Sequence, residues 1–298
     1  MSEIKRCGII SLVGRPNVGK STLVNTLVGE KVAIVSPKPQ TTRNRICAIL
    51  NRGESQFVFL DTPGLHRART RLRDYMVKVA RQSVANVDGV LLLVEPVDAI
   101  SPAEEELIGR IRALGAPAAL VINKIDTVDK PALLAVMARY GQAHDWAAVV
   151  PICARTGEGV ETLLAEIAPW LPQGPQLFPD GMTTDQPERQ VMAEIVREKL
   201  LGNLDQEVPH GTAVEVTKFS QRDNDIIDCH VTIYCEKASH KGILIGKKGA
   251  MLKKISTQAR EDMEAFMGAK VYLETWVKVK EHWRDQPGAI QNFGYTDD

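Results

Sequence analysis

Eight residues constrain this chain more than any others: Gly14-Arg15-Pro16-Asn17-Val18-Gly19-Lys20-Ser21, which follow the spacing GxxxxGK[ST]. The run Cys7-Gly8-Ile9-Ile10-Ser11-Leu12-Val13 before them is apolar and predicts a buried strand. The amphipathic stretch Lys20 to Val28 after them predicts a helix. Strand, glycine-bearing turn and helix in that order make a cradle for a polyphosphate. Gly14 and Gly19 lack a Cβ, so the backbone N–H groups between them can approach an anion closely. The phosphates then lie at a helix N-terminus, where unpaired N–H groups and the helix dipole favour negative charge. In such a cradle Lys20 supplies a point charge to the β- and γ-phosphates, and Ser21 gives its hydroxyl to Mg²⁺.

Two later motifs sharpen this reading. Asp61-Thr62-Pro63-Gly64 follows the apolar strand Phe57-Val58-Phe59-Leu60. An Asp at the end of a neighbouring strand is the carboxylate expected behind the metal, and Gly64 lets a backbone N–H approach the γ-phosphate. Asn123-Lys124-Ile125-Asp126 follows the apolar run Ala118 to Ile122. A carboxylate at Asp126 can accept from guanine at N1–H and at the 2-amino group. Adenine has neither donor there and would leave the carboxylate buried and unpaired, which selects guanine. Lys124 is expected along the base plane, and Asn123 is expected to tie two loops together.

The first half alternates apolar runs with helical patterns. Strands are predicted at 7–13, 46–50, 56–61, 89–95, 117–122 and 148–152, and helices at 20–28, 72–86, 103–113, 130–140 and 159–168. That alternation predicts an α/β domain with a mostly parallel, doubly wound sheet and ligands at strand C-termini, where every motif above falls. Residues 169 to 187 carry five prolines and read as a semi-rigid linker. Beyond it the rhythm changes. A helix over Glu188 to Leu201, strands over Thr212 to Phe219 and Ile226 to Cys235, a helix after Gly249 and a strand over Lys270 to Lys280 predict an α+β second domain. In the second of those strands Ile227, Cys229, Val231, Ile233 and Cys235 share one face, and His230 belongs to the solvent side.

Taken together, the first three motifs resemble the G1, G3 and G4 elements of translation-factor-type GTPases. Two other stretches narrow the likeness: Gln40-Thr41-Thr42-Arg43 in the polar loop after the first helix, and Gly242-Ile243-Leu244-Ile245-Gly246-Lys247-Lys248-Gly249 near the C-terminus, with Trp276-Val277-Lys278-Val279-Lys280 after it. With these, about residues 5 to 285 resemble the Era family, bacterial GTPases of ribosome assembly. The order α-β-β-α-α-β with GxxG between adjacent helices resembles a type II KH domain. There Gly246 and Gly249 allow close approach of a sugar-phosphate chain, and the next helix starts with its N–H groups facing the phosphates. Between Lys237 and Lys254 lie six lysines and no acid, and Lys241, Lys247, Lys248, Lys253 and Lys254 are the candidate RNA contacts.

The resemblance implies a GTP-hydrolysing switch that binds 16S ribosomal RNA near its 3′ end and acts in assembly of the 30S subunit. It implies GTP or GDP and Mg²⁺ as cofactors, a monomer, no DNA partner, and peripheral association with the cytoplasmic membrane. It divides the chain into a GTP-binding domain over 1–172, a Pro-rich linker over 173–187, the KH domain over 188–285 and a tail over 286–298. Switch loops fall at 30–45 and 62–75. Switch I supplies the second metal-binding hydroxyl from Thr42, with Thr41 as the alternative, and Lys20, Thr42 and Gly64 are the candidate catalytic groups. Arg43 and Arg45 read as solvated switch residues.

The chain departs from the common pattern at three points. Leu65 stands where Ras-type GTPases have a water-orienting Gln, so slow intrinsic hydrolysis is expected. Asn17, by its family position, either helps hold K⁺ between the phosphates or merely ties the P-loop to switch I. The fifth motif, usually Ser-Ala-x, reads Cys153-Ala154-Arg155; Ala154 can offer its N–H to guanine O6, while Cys153 weakens what the serine normally buttresses. Tyr272, Trp276, Lys278 and Lys280 share the outer face of the last strand; aromatics between lysines could stack bases, but these are expected to pack beneath the C-terminal tail with Trp283.

Composition limits what remains. The 298 residues suffice for two cored domains, and 37 basic against 37 acidic residues give no net charge. No apolar run reaches a membrane span, and Met1 to Arg6 lack a signal-peptide core, so a cytoplasmic chain is expected. Cys7, Cys47, Cys153, Cys229 and Cys235 form no CxxC pair and are expected as buried thiols.

Overall fold

The structure, a computed structural model, describes residues 4–38, 40–63, 70–82, 86–223 and 225–295. The chain divides into two compact units. The first takes most of the chain up to Asp185; the second takes everything from Gln186, together with 34–41 and the residues up to Tyr75 that open the helix after the third strand.

In the first unit, β1 (Arg6–Gly14), α1 (Lys20–Val28), β2 (Ile46–Arg52), β3 (Ser55–Asp61), α2 (Arg71–Gln82), β4 (Gly89–Val94), α3 (Pro102–Leu114), β5 (Ala118–Ile122), α4 (Lys130–Gly141), β6 (Ala148–Pro151) and α5 (Val160–Ile167) follow one another. The sheet order is β2-β3-β1-β4-β5-β6, parallel except for the β2–β3 hairpin. Alternation within β4 shows the double winding. Leu91 and Leu93 join Ile10, Leu12 and Phe59 beneath α1 and α5, while Val90, Leu92 and Val94 join Leu120 and Ile122 beneath α3 and α4. Helix ends are set locally. Ser101 and Glu104 form a reciprocal capping box on α3, and Gly115 closes that helix in the left-handed conformation. The strand order reverses at β1, so the loop after β1 opens at the topological switch point.

The Pro-rich stretch predicted as a linker is hydrogen-bonded to this unit as far as Asp185. Ile49 N–H donates to Thr183 O (2.9 Å), Thr184 Oγ1 to Cys47 O (2.7 Å), and Leu177 and Phe178 N–H both to Gln56 Oε1 (2.8 and 3.0 Å). β2 is an edge strand with unpaired main-chain groups, and this segment covers them.

In the second unit, α6 (Glu188–Asn203), β7 (Ala213–Gln221), β8 (Ile227–Cys235), α7 (Ala238–Ile245), α8 (Ala250–Met267), β9 (Val271–Val279) and α9 (Pro287–Asn292) follow. β8 pairs antiparallel with β7 and parallel with β9; α7 and α8 make the crossover that a parallel pair requires. The core faces of α6 (Val191, Met192, Ile195, Val196, Leu200) and α8 (Ile255, Ala259, Met263) meet Cys229, Val231, Ile233 and Cys235 of β8. The opposite face of β8 is less open than its alternation predicts. Asp228 is buried between Lys218 (2.6 Å) and Arg222 (3.0 Å), which hold its carboxyl well below the usual range.

A second small core joins Leu72, Ala213, Trp283, Ala289, Ile290 and Tyr295, so residues predicted as a tail form α9 and pack on Trp283, whose Nε1 donates to Gly211 O at 2.9 Å. The tail does not cover the last strand as expected. Tyr272 is 47% and Trp276 58% exposed; Arg222 lies over the Tyr272 ring, and Lys280 reaches a tail ring, that of Phe293. The tail's Phe293 ring packs instead on Tyr234 and Trp283. All five cysteines are buried thiols. Among the described residues no helix is long and apolar enough to cross a membrane.

Candidate functional site

β1 delivers the chain to Gly14, and residues 14–19 turn into the N-terminus of α1. Gly19 sits at φ +101°, and a Cβ there would lie 2.1 Å from Asn123 Nδ2. Only glycine permits this approach, because the same Asn123 amide donates to Val18 O at 2.8 Å while its Oδ1 accepts from Ala154 N–H at 2.9 Å. Asn123 therefore pins the P-loop to the loop after β6. Lys20 lies back along the loop, with Nζ 3.1 Å from Gly14 O and 3.0 Å from Arg15 O. Burial pushes its pKa down to about 8 against the opposing pull of Asp61.

Ser21, Thr42 and Asp61 converge. Ser21 Oγ donates to Asp61 Oδ2 at 2.6 Å and lies 3.0 Å from Thr42 Oγ1, which is 3.3 Å from the same carboxylate oxygen. Asp61 is buried, its pKa is raised by that burial, and its Oδ1 has no hydrogen-bond partner among the described residues. Two hydroxyls and an under-satisfied carboxylate are the hard oxygen donors that suit Mg²⁺. The alternative, Thr41, is turned away and donates to Lys38 O at 2.6 Å. Thr62 ties β3 to β1 through Leu12 O (2.9 Å), and Pro63 continues the loop. Gly64 and Leu65 lie outside the described residues.

The base loop follows β5. Lys124 adopts a left-handed conformation, which turns its Nζ back to Asn17 O (2.8 Å) and into an ion pair with Glu95. Asp126 is flanked by the fifth motif. Cys153 Sγ donates to Oδ1 at 3.2 Å and the exposed Arg155 to Oδ2 at 2.7 Å. The thiol thus stands in a buttressing position like that expected of a serine hydroxyl. Ala154 N–H donates to Asn123 Oδ1 at 2.9 Å. Arg15 points towards α3 and comes within 3.9 Å of the buried Glu104, while Pro16, Val18 and Ile125 contribute main chain and packing.

Three residues escaped the motif reading. Glu95 follows β4 directly, and an acid at that strand end was a legible signal for a lysine partner. Thr26 donates to Ala154 O at 2.6 Å from within α1, with no sequence signal. Arg43 is buried, not solvated, whereas Arg45 is exposed.

On the second unit, Gly246 lies at φ +71°, and a Cβ there would fall 2.7 Å from Met251 Cβ and 2.9 Å from its nitrogen. Only glycine fits the tight turn there, which ends α7 and leads into α8. Lys248 is left-handed (φ +50°) and Gly249 N–H closes the turn on Gly246 O at 3.2 Å. Lys247, Lys248, Lys253 and Lys254 are exposed around this loop and Lys241 is half-buried.

Residues 9–124 match the family described as 50S ribosome-binding GTPase, and residues 207–284 match the KH domain. Fold and site therefore define a P-loop GTPase joined to a KH domain. The chain is 49% identical to GTPase Era of Alkaliphilus metalliredigens, over 97% of this chain and 99% of that one. It is 48% identical to GTPase Era of Clostridioides difficile, over 98% and 99%. The chain belongs to the Era family of GTPases. Two solved structures, each 38% identical and covering 98% of this chain and 99% of theirs, are similar over the whole length. They are a single-residue variant of Aquifex aeolicus Era bound to GDP·AlF4⁻ (TM-score 0.93) and Era in complex with MgGDPNP and nucleotides 1506–1542 of 16S ribosomal RNA (TM-score 0.94).

Proposed function

We propose that this chain is a GTP-hydrolysing switch that binds 16S ribosomal RNA near its 3′ end and acts in assembly of the small ribosomal subunit. The observation that carries the reading is the pairing, on one chain, of the Ser21–Thr42–Asp61 cluster beside Lys20 with the lysine-flanked GxxG turn of a KH domain. The likeness to a relative solved with MgGDPNP and 16S nucleotides supports it.

In this reading residues 1–172 bind GTP and residues 188–285 bind RNA. The N–H groups of residues 14–21 and the Lys20 ammonium hold the phosphates. Asp126 selects guanine, with Cys153 and Arg155 orienting its carboxylate. Ser21 and Thr42, with Asp61 behind them, would hold Mg²⁺, which would supply positive charge to offset that of the phosphates. With Leu65 in place of a glutamine, hydrolysis is slow until RNA, the assembling subunit or K⁺ at Asn17 assists. Lys241, Lys247, Lys248, Lys253 and Lys254 contact the RNA backbone. The protein acts in the cytoplasm; peripheral contact with the inner face of the membrane is a separate proposal, tested by co-sedimentation with anionic vesicles.

The test is GTP turnover by the full chain, with and without an RNA of nucleotides 1506–1542, in K⁺ and in Na⁺. Turnover that RNA accelerates is expected. RNA binding without turnover under any of these conditions would leave an RNA-binding module with a structural nucleotide site.

A further inference from the structure

Helix α6 carries a buried cation that the chemistry above does not use. Arg197 is 1% exposed and forms an ion pair with Glu194, one turn earlier on the same helix. Its guanidinium also reaches main chain far away in sequence. Nη1 donates to Gln40 O at 3.3 Å, and Nη2 donates to Thr41 O. Three further bonds join this helix and its C-terminal end to the same segment. Val35 N–H donates to Glu198 Oε1 at 2.9 Å, and Lys38 Nζ donates to Leu204 O and to Asp205 Oδ1, the latter at 3.2 Å. By its contacts segment 34–41 belongs with α6 in the second unit. The next residue in the chain is Thr42, whose hydroxyl stands with Ser21 and Asp61 in the nucleotide site.

A guanidinium presents its donors in a rigid plane, so two carbonyls on successive residues can both meet it in few backbone geometries. Gln40 holds such a geometry, left-handed at φ +63°, which is uncommon without glycine. If Thr42 leaves the site, the peptides of 40 and 41 must turn. Arg197 would then keep its pair with Glu194 but lose both carbonyls while still buried, leaving hydrogen-bonding capacity of a desolvated guanidinium unmet at a cost.

We propose that Arg197 is a positioning residue that locks segment 34–41 to the first helix of the KH unit, so that the seating of Thr42 and the state of α6 are energetically linked. The proposal deepens the switch reading and rests on it.

The test uses the full chain and its Arg197→Met variant, which keeps bulk but removes every donor. Affinity for an RNA of nucleotides 1506–1542 is measured with Mg·GDPNP and with Mg·GDP, alongside affinity for a fluorescent GDP and amide exchange over 34–42. The wild type is expected to bind RNA at least about 5-fold tighter in the GDPNP state. In the variant that ratio is expected to fall below about 2-fold and exchange over 34–42 to quicken. GDP affinity is expected to stay within about 2-fold, because no P-loop contact is touched. A ratio retained in the variant overturns the proposal. Should the wild type itself show a ratio of one, the switch reading fails, and exchange then decides the lock: unchanged protection in the variant overturns it, quickened exchange sustains it. If Arg197→Met does not fold, Arg197→Lys serves. It keeps the charge beside Glu194 but not the fork, and is expected to shift the same ratio in the same direction; an unmoved ratio overturns the proposal again.

Discussion

At the scale of single residues the nucleotide site is governed by burial of charge. Lys20 is a buried ammonium whose pKa has dropped to about 8, and a bound phosphate is expected to restore its proton. The sign follows for two measurements. Without nucleotide, the unfolded chain binds more protons than the folded one between about pH 8 and about pH 10.5, so stability rises with pH across that window. Nucleotide affinity runs the other way. Flat below about pH 8, it is expected to fall by up to about tenfold per unit above it. Titration calorimetry from about pH 7 to about pH 9 checks this, with Lys20→Ala as the control that is weak and flat throughout. Asp126 sits between a thiol and a guanidinium. Asp126→Asn is expected to weaken GTP by about 10²-fold or more and to gain xanthosine triphosphate, because the amide can donate to the xanthine 2-oxygen. Unchanged GTP affinity would reject the base assignment. Cys153→Ser tests the buttress. A hydroxyl makes the shorter and stronger bond, so GDP is expected to bind about 2- to 5-fold tighter in a fluorescence titration; a weaker complex would mean that the thiol's size matters more than its proton.

At the scale of elements, the α7–α8 turn is the part most exposed to test. Its backbone leaves no room for a side chain at Gly246, where a Cβ would meet Met251, and its lysines face solvent. Lys247→Asp with Lys248→Asp is expected to abolish RNA binding at moderate salt while GTP affinity is retained, since two carboxylates repel the chain the loop would clamp. Filter binding of the RNA against nucleotide titration separates the two, and RNA affinity surviving the double change would reduce the lysine run to a solvated face. Periodicity located α6, β7, β8, α8 and β9 to within a few residues, while α7 came from the resemblance and α9 lies in the stretch read as a tail. It could not foresee that the Pro-rich stretch lies along β2, that Asp228 is buried on the face opposite the core, or that Trp276 stands uncovered. Each depends on what packs alongside, which no local pattern encodes.

At the scale of the whole molecule, the second unit includes the described residues of 34–41 and those opening α2. Ligand effects of this kind are typically about 1–3 kcal/mol and must be reciprocal. If GDPNP tightens RNA relative to GDP by some factor, RNA is expected to tighten GDPNP relative to GDP by the same factor. Both arms are measurable on one preparation. Unequal factors would break the cycle and point to a third state; two factors of one would leave independent modules on a single chain.

The amino-acid sequence by itself determined the chemistry of the nucleotide site, because phosphate and guanine recognition depend on short runs at strand ends: Gly14 to Ser21, Asp61 to Gly64 and Asn123 to Asp126. It also determined the order of elements in the first unit and most of that in the second, because hydrophobic period is a local property. The tertiary structure alone decided which threonine joins Ser21 and Asp61, that Ala154 N–H serves Asn123, and that Arg43 and Arg197 are buried rather than solvated. These are contacts between residues tens to more than a hundred positions apart. A charged side chain looks solvated in sequence until the fold shows which carbonyls close around it.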